Sequence, residues 1–338
     1  MEIKTLKEIV EEVTYNKDIH DLLTEALQGK PLSPHPYTEL VQFQIDQLRK
    51  RYNLPAQNID NNDVKAYLKE EGFQVGEPWD GDIEHSAILM ISSNPSFHWD
   101  EKSPRYHAES KRLVMPGDGD NNYDHDVSSE EMQNFLYNRI QEPLPDEDSD
   151  NMTLEIPLRG RVPGNRREPV RYWGAIRNRI EELLPQSLII QFDTELKNGK
   201  INHKQYARKL MKYVAFMEIV PFRSLEAKGV KAALATCWND FTQHILARAS
   251  APVFMLVGEQ PLGEFMSQVF GNSPTVEQHL RNGNICCYQD IGGKERLVVF
   301  EPKVQAGPRL FANAFADNPD TLRIIKAIVA YSTSILHN

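Results

Sequence analysis

ILMISSNPSFHW, residues 88–99, runs four apolar residues into Ser-Ser-Asn-Pro-Ser and then into aromatics. A short apolar run bounded by turn formers reads as a buried strand. The residue before a proline is pushed out of the α region, so Asn94-Pro95 turns the chain. Two explanations stand for Asn94. It opens an Asx-type turn that merely ends the strand. Alternatively, it is held at the carboxyl end of a central strand, where open α/β sheets bind their ligands.

Outward from this stretch, strands alternate with helices. AILMIS (87–92), YVAFMEIV (213–220) and PVFMLVG (252–258) read as strands, and ICCYQDI with ERLVVFEP (285–302) reads as a closing pair turned by Gly292-Gly293-Lys294. Helical patterns lie between and after them: 128–140, opened by a capping box of Ser128 and Glu131, then 172–184, 230–249, 259–270 and 319–336. Strands separated by helices predict a parallel sheet covered on both faces. Ahead of this, residues 1–80 form a helical N-terminal region. Leu6, Ile9 and Val10, then Ile19, Leu22, Leu23 and Leu27, recur at helical spacing. YTELVQFQIDQLRKRY repeats the pattern, NNDVKAYLKE adds a short helix, and GEPWDGDIEH (76–85) reads as a linker. The expected division is therefore 1–80 and 81–338.

Composition narrows the class. The chain has 338 residues, 40% of them hydrophobic, and a net charge of −10, so no global basic signature of a nucleic-acid binder is present. Cys237, Cys286 and Cys287 fit neither a zinc site nor an iron–sulfur cluster and suit a reducing cytoplasm. The opening MEIKTLKEIVEEV reads as an acidic amphipathic stretch rather than a signal peptide, and no apolar run approaches the ~20 residues of a membrane span. A cytoplasmic monomer without membrane contact, metal or cofactor is expected.

Charge is nonetheless distributed unevenly. Residues 117–150 are strongly acidic; DGDNNYDHD within them has Tyr123 where a calcium loop needs glycine and Ser129 where it needs glutamate, so a solvated loop is expected. Residues 159–179 are the reverse. Arg159, Arg161, Arg166, Arg167, Arg171, Arg177 and Arg179 stand with one acid, Glu168, and with Tyr172 and Trp173 among them. Arginine interleaved with aromatics suits phosphate contact and base stacking. An internal partner for the acidic loop is the competing explanation.

Three strand-end motifs fall in order along the chain. Ser93-Asn94-Pro95-Ser96 follows the first strand. Glu218-Ile219-Val220-Pro221-Phe222-Arg223-Ser224 ends the second. Glu301-Pro302-Lys303 ends the last. Between the last two, CWNDFTQHILARASAPVFMLVGEQPLGEF (237–265) has the rhythm of a helix, a strand and a glycine-opened helix. In this order the motifs resemble those of the uracil-DNA glycosylase superfamily, over roughly residues 83–338. That family has Gly-x-(Asp/Asn)-Pro after its first strand, a middle strand ending in a base-reading Asn, and a late His-Pro-Ser loop. The resemblance implies an α/β protein, a three-layer α/β/α fold with a short, mainly parallel central sheet of four parallel strands.

The resemblance also implies roles. Asn94 matches the group that positions and polarises the attacking water, Ser92 or Ser93 stands where the family has its glycine, and Pro95 and Ser96 continue the motif. Phe97 or Trp99 would stack on a flipped base. Glu218 stands where the family reads uracil with Asn, and Glu301 where it carries His. DNA would be the partner, with Arg159, Arg161, Arg166, Arg167, Arg171, Lys303 and Arg309 on its phosphates. The departures bear on substrate. Ionised Glu only accepts hydrogen bonds, so at 218 it would repel uracil O4 and suit an exocyclic amine such as cytosine N4. With Glu301 in place of His the family's donor to the leaving base is gone, and Lys303 or Arg309 would have to supply the cation. Simpler roles remain for the same residues: Glu218 pairing with Arg223, Glu301 as a turn residue, Phe97 and Trp99 in the core. No Walker A, G-x-G-x-x-G, H-E-x-x-H or G-x-S-x-G motif occurs. Three functions follow: a DNA glycosylase acting on a modified or cytosine-type base in repair or in defence against foreign DNA; a catalytically inactive module of that fold that binds nucleic acid or a nucleotide; or a hydrolase of free nucleosides or another small molecule.

Overall fold

The computed structural model describes residues 2–14, 16–52, 76, 78–93, 134, 137–138, 140–141, 186–202, 205–206, 209, 212–222, 224 and 227–302. In chain order the helices are α1 (Leu6–Thr14), α2 (Lys17–Leu27), α3 (Thr38–Tyr52), α4 (Gln186–Lys197), α5 (Val230–Cys237), a π-helical turn (Trp238–Thr242), α6 (Gln243–Arg248), α7 (Glu259–Gln268) and α8 (Pro274–Arg281). The strands are β1 (Trp79–Asp80), β2 (Ile88–Ser92), β3 (Val214–Glu218), β4 (Val253–Val257), β5 (Cys286–Gln289) and β6 (Glu295–Glu301). The chain divides into two compact units, Met1–Trp79 with Ser93–Ile140 and Glu218–Leu246, and Asp80–Ser92 with Gln141–Met217 and Ala247–Asn338.

The first unit holds the N-terminal helices that the spacing predicts. α1 buries Leu6, Ile9, Val10 and Val13 on one face. The Asn16 side chain caps α2 by accepting the Ile19 N–H at 3.1 Å. α3 contributes Leu40, Val41 and Ile45 to the core. Gly229, at φ +76°, lies so close to α3 that a Cβ there would sit 2.4 Å from the Leu40 nitrogen. Tyr37 meets Phe222 edge-on at 5.2 Å, and Phe222 meets Phe241 in the same way at 6.1 Å. The helix expected at NNDVKAYLKE lies outside the described residues, as do those at 172–184 and 319–336.

The second unit is organised by the sheet, whose strand order is β1-β3-β2-β4-β6-β5. β2, β4 and β6 pair in parallel, and β5 returns antiparallel to β6, so the sheet is mixed. Its central strands are buried on both faces, which explains their continuous apolar runs. One face carries Ile88, Met90, Val253, Met255, Leu297 and Val299, covered by Leu188, Ile189 and Phe192 of α4. The alternate residues, Leu89, Ile91, Phe254, Leu256, Val298 and Phe300, are equally buried. On their side Tyr288 packs among Phe254, Phe265 of α7 and Phe270.

One stretch departs from its expected role. Within GEPWDGDIEH, Trp79 and Asp80 form the edge strand β1, and Trp79 is fully buried. An indole of this size dominates local burial and overrides the turn-rich composition around it. The β5–β6 hairpin is held by a buried ion pair. The Arg296 Nε donates to Asp290 at 2.8 Å, while its two terminal nitrogens donate to the carbonyls of Ala251 at 2.8 Å and Ala249 at 2.7 Å, just beyond α6. The other Asp290 oxygen accepts the N–H groups of Gly292 and Lys294 and closes the Gly292-Gly293-Lys294 turn.

Candidate functional site

The strands β2, β4 and β6, paired in parallel, end together. Ile91, Leu256 and Phe300 share one rung of the register, and β2, β4 and β6 each stop one residue later, at Ser92, Val257 and Glu301. In open α/β sheets this carboxyl edge is where ligands bind. β4 passes directly into α7 through Gly258, at φ +90°. A Cβ at Gly258 would meet nothing within 4 Å, so its backbone conformation, not crowding, calls for glycine there. The Gly258 N–H donates to the Glu301 carbonyl at 3.0 Å and ties the ends of β4 and β6.

Glu301 closes β6 wholly buried, at 0% exposure. Carboxyl groups are rarely enclosed this far, because desolvation penalises the charged form. Such groups concentrate at sites whose chemistry uses them. In the other unit, Ser93 and Glu218 are half-buried. The Ser93 carbonyl accepts the Val220 N–H at 2.9 Å, so the backbone that opens the first motif is bonded to the backbone two residues after Glu218. The Thr242 hydroxyl donates to the Ile219 carbonyl at 3.0 Å. The second motif is thus pinned from both sides. Thr242 carries no sequence signal of its own; it lies inside a run that reads as uninterrupted helix.

Asn94, Pro95, Ser96, Phe97 and Trp99 lie outside the described residues. So do Arg159, Arg161, Arg166, Arg167, Arg171, Lys303 and Arg309, and the acidic loop. Arg223, the alternative partner of Glu218, lies outside them as well.

Other titratable groups fill structural roles. Burial pushes the Cys237 thiol up to about 12, against a partly offsetting hydrogen bond to Tyr37 at 3.7 Å. A thiol so held is not a nucleophile near neutral pH. The Tyr37 phenol is raised far above its ordinary value, chiefly by burial. His244 is buried, and its Nδ1 accepts the Lys4 N–H at 3.3 Å; desolvation and the Lys4 charge lower its pKa. Among the described residues no group of three or more His, Cys, Asp or Glu side chains could hold a metal ion. No described helix is long and apolar enough to cross a membrane. No protein-family model matches the chain, and no curated protein matches it.

Proposed function

We propose that the chain is a DNA glycosylase-like enzyme of three-layer α/β/α architecture. It flips a modified or cytosine-type base and hydrolyses its N-glycosidic bond, leaving an abasic site, in repair or in defence against foreign DNA. The observation that carries this is the strand-end rung: the fully buried Glu301 ends β6 in step with Ser92, the residue that leads into Ser93-Asn94-Pro95-Ser96.

The chemistry asks for few groups. Breaking the bond builds positive charge on the sugar and negative charge on the leaving base, and both need preorganised partners. A carboxyl group at the position of Glu301 would, when ionised, suit the cationic sugar. An amide such as Asn94 cannot act as a true base, but its carbonyl can hold a water in line for attack. Glu218, acceptor-only when ionised, selects a base bearing an exocyclic amine. Phe97 or Trp99 stacks on the extruded base, and the arginines from 159 to 171, with Lys303 and Arg309, hold phosphates. Removing the base from the stack costs a few kcal/mol, least at a damaged or modified position.

Glutamate in place of the family's His, together with a net charge of −10, favours a second function: a module of this fold that binds nucleic acid or a nucleotide without catalysis. Incubation with duplex and single-stranded oligonucleotides carrying unmodified, deaminated and modified cytosines, scored for alkali-labile sites, separates the two. Release of one class of base is the outcome expected of the enzyme. Retained binding with no release on any substrate would transfer the assignment to the module.

A further inference from the structure

We propose that the π-helical turn Trp238–Thr242 is a positioning device for the Glu218 motif, with the Thr242 hydroxyl as its acting group. The inference rests on the base-reading role proposed above for Glu218. π-turns inside α-helices are uncommon and gather at functional sites. Here the Gln243 N–H reaches back five residues to the Trp238 carbonyl, and the ordinary ladder resumes at α6.

The effect on Thr242 shows against two threonines of ordinary α-helices. Thr14 bonds the Val10 carbonyl at 2.6 Å and Thr194 the Ile190 carbonyl at 2.7 Å, each the usual bond to the residue four back. Thr242 instead sends its hydroxyl out of the helix to Ile219, the residue after Glu218. Ile219, Val220 and Thr242 are all at 0% exposure, so the bond is shielded from competing water. Phe241, in the same π-turn, meets Phe222 edge-on and holds the far end of the motif. The next residue, Val220, donates to the Ser93 carbonyl. One buried hydroxyl therefore fixes the backbone that carries Glu218 and, one residue on, the backbone that precedes Asn94. An uninterrupted α-helix would rotate Thr242 by roughly a quarter turn or more away from this target.

The test uses the full chain with Thr242→Val, which keeps the shape and removes the hydroxyl, and Thr242→Ser, which restores it. Amide hydrogen exchange is the first readout. In Thr242→Val the Ile219–Val220 amides should exchange about tenfold faster, the value of one ordinary hydrogen bond, while α5 amides keep their protection and Thr242→Ser matches the parent chain. Unchanged exchange at Val220 would overturn the proposal. Equal loss of protection through α5 would also overturn it, marking the hydroxyl as a support of the whole fold. The second readout is the ratio of kcat/KM for the preferred base over unmodified cytosine, expected to fall about tenfold in Thr242→Val and to recover in Thr242→Ser. A parent chain that releases no base would remove the glycosylase function and leave the exchange result to decide the positioning role.

Discussion

Glu301 brings the energetic and chemical accounts into contact. A carboxyl group enclosed at 0% exposure is an expense that a turn residue would not carry. Glu301→Gln keeps the volume and the shape while removing the ionisable carboxyl. Its thermal midpoint should stay within about 4 °C of the parent, and base release should fall by at least about 100-fold. A loss of activity that merely tracks unfolding would count against the catalytic role. His244 supplies a second single-residue prediction. Its Nδ1 must be unprotonated to accept from Lys4, and Lys4, Glu12 and Asp240 are the charged groups around it. Its folded pKa lies below its ordinary 6.5, so the folded state prefers the neutral ring. The stability it contributes, about 1 kcal/mol, is full above pH 6.5 and is lost as the pH falls below that value through the folded pKa. Midpoints measured for the parent and His244→Gln should differ by a constant amount above pH 7 and converge in acid. The strand-end placement of Glu218 and Glu301 was legible because they close apolar runs. His244 and Thr242 were not, because the partners that give them roles lie 240 and 23 residues away.

The central strands β2, β3, β4 and β6 are the elements that their sequence declares most openly. Their largely buried, largely apolar runs are closed by Ser-Asn-Pro, Val-Pro, a glycine or Glu-Pro. The hairpin turn was equally plain from Gly292-Gly293-Lys294. α8 opens with Ser273 as cap and Pro274 in its first turn, a start signal weakened by a sequence with one fully buried apolar residue, Leu280. The π-turn leaves only an indirect trace. The buried positions 233, 237, 241, 245 and 249 advance in steps of four, each drifting about 40° on a regular helix, and the extra residue absorbs part of that drift. The clasp at Arg296 could not be foreseen from a strand that reads ERLVVFE, since its carbonyl partners follow α6. Arg296→Met should destabilise by about 3–5 kcal/mol, the cost of leaving Asp290 buried and uncompensated. Urea denaturation with an unchanged m-value would check it, and a loss under 1 kcal/mol would show the clasp to be dispensable.

For the whole molecule, the net charge of −10 sets a problem that any DNA-binding function must solve. Long-range repulsion has to be overcome locally, and the seven arginines between 159 and 179 are the densest cationic stretch in the chain. If they track phosphates, affinity will fall steeply with salt, by a factor on the order of 1,000 between 50 and 200 mM for six or more contacts. The double substitution Arg166→Ala with Arg167→Ala should then reduce the slope of log affinity against log salt by about two, without changing base preference. A slope that the substitution leaves untouched would return the segment to its alternative role, as an internal partner of the acidic loop.

The proposed function turns on Asn94, led into by the end of β2, serving the hydrolysis of a base from DNA. Its most direct test is single-turnover base release from DNA carrying modified cytosines, comparing the parent chain with Asn94→Ala. Abasic sites that form with the parent and vanish with Asn94→Ala, while both proteins bind the DNA equally, are the predicted result. Equal release by the two proteins, or none by either on any modified or unmodified cytosine, would contradict it.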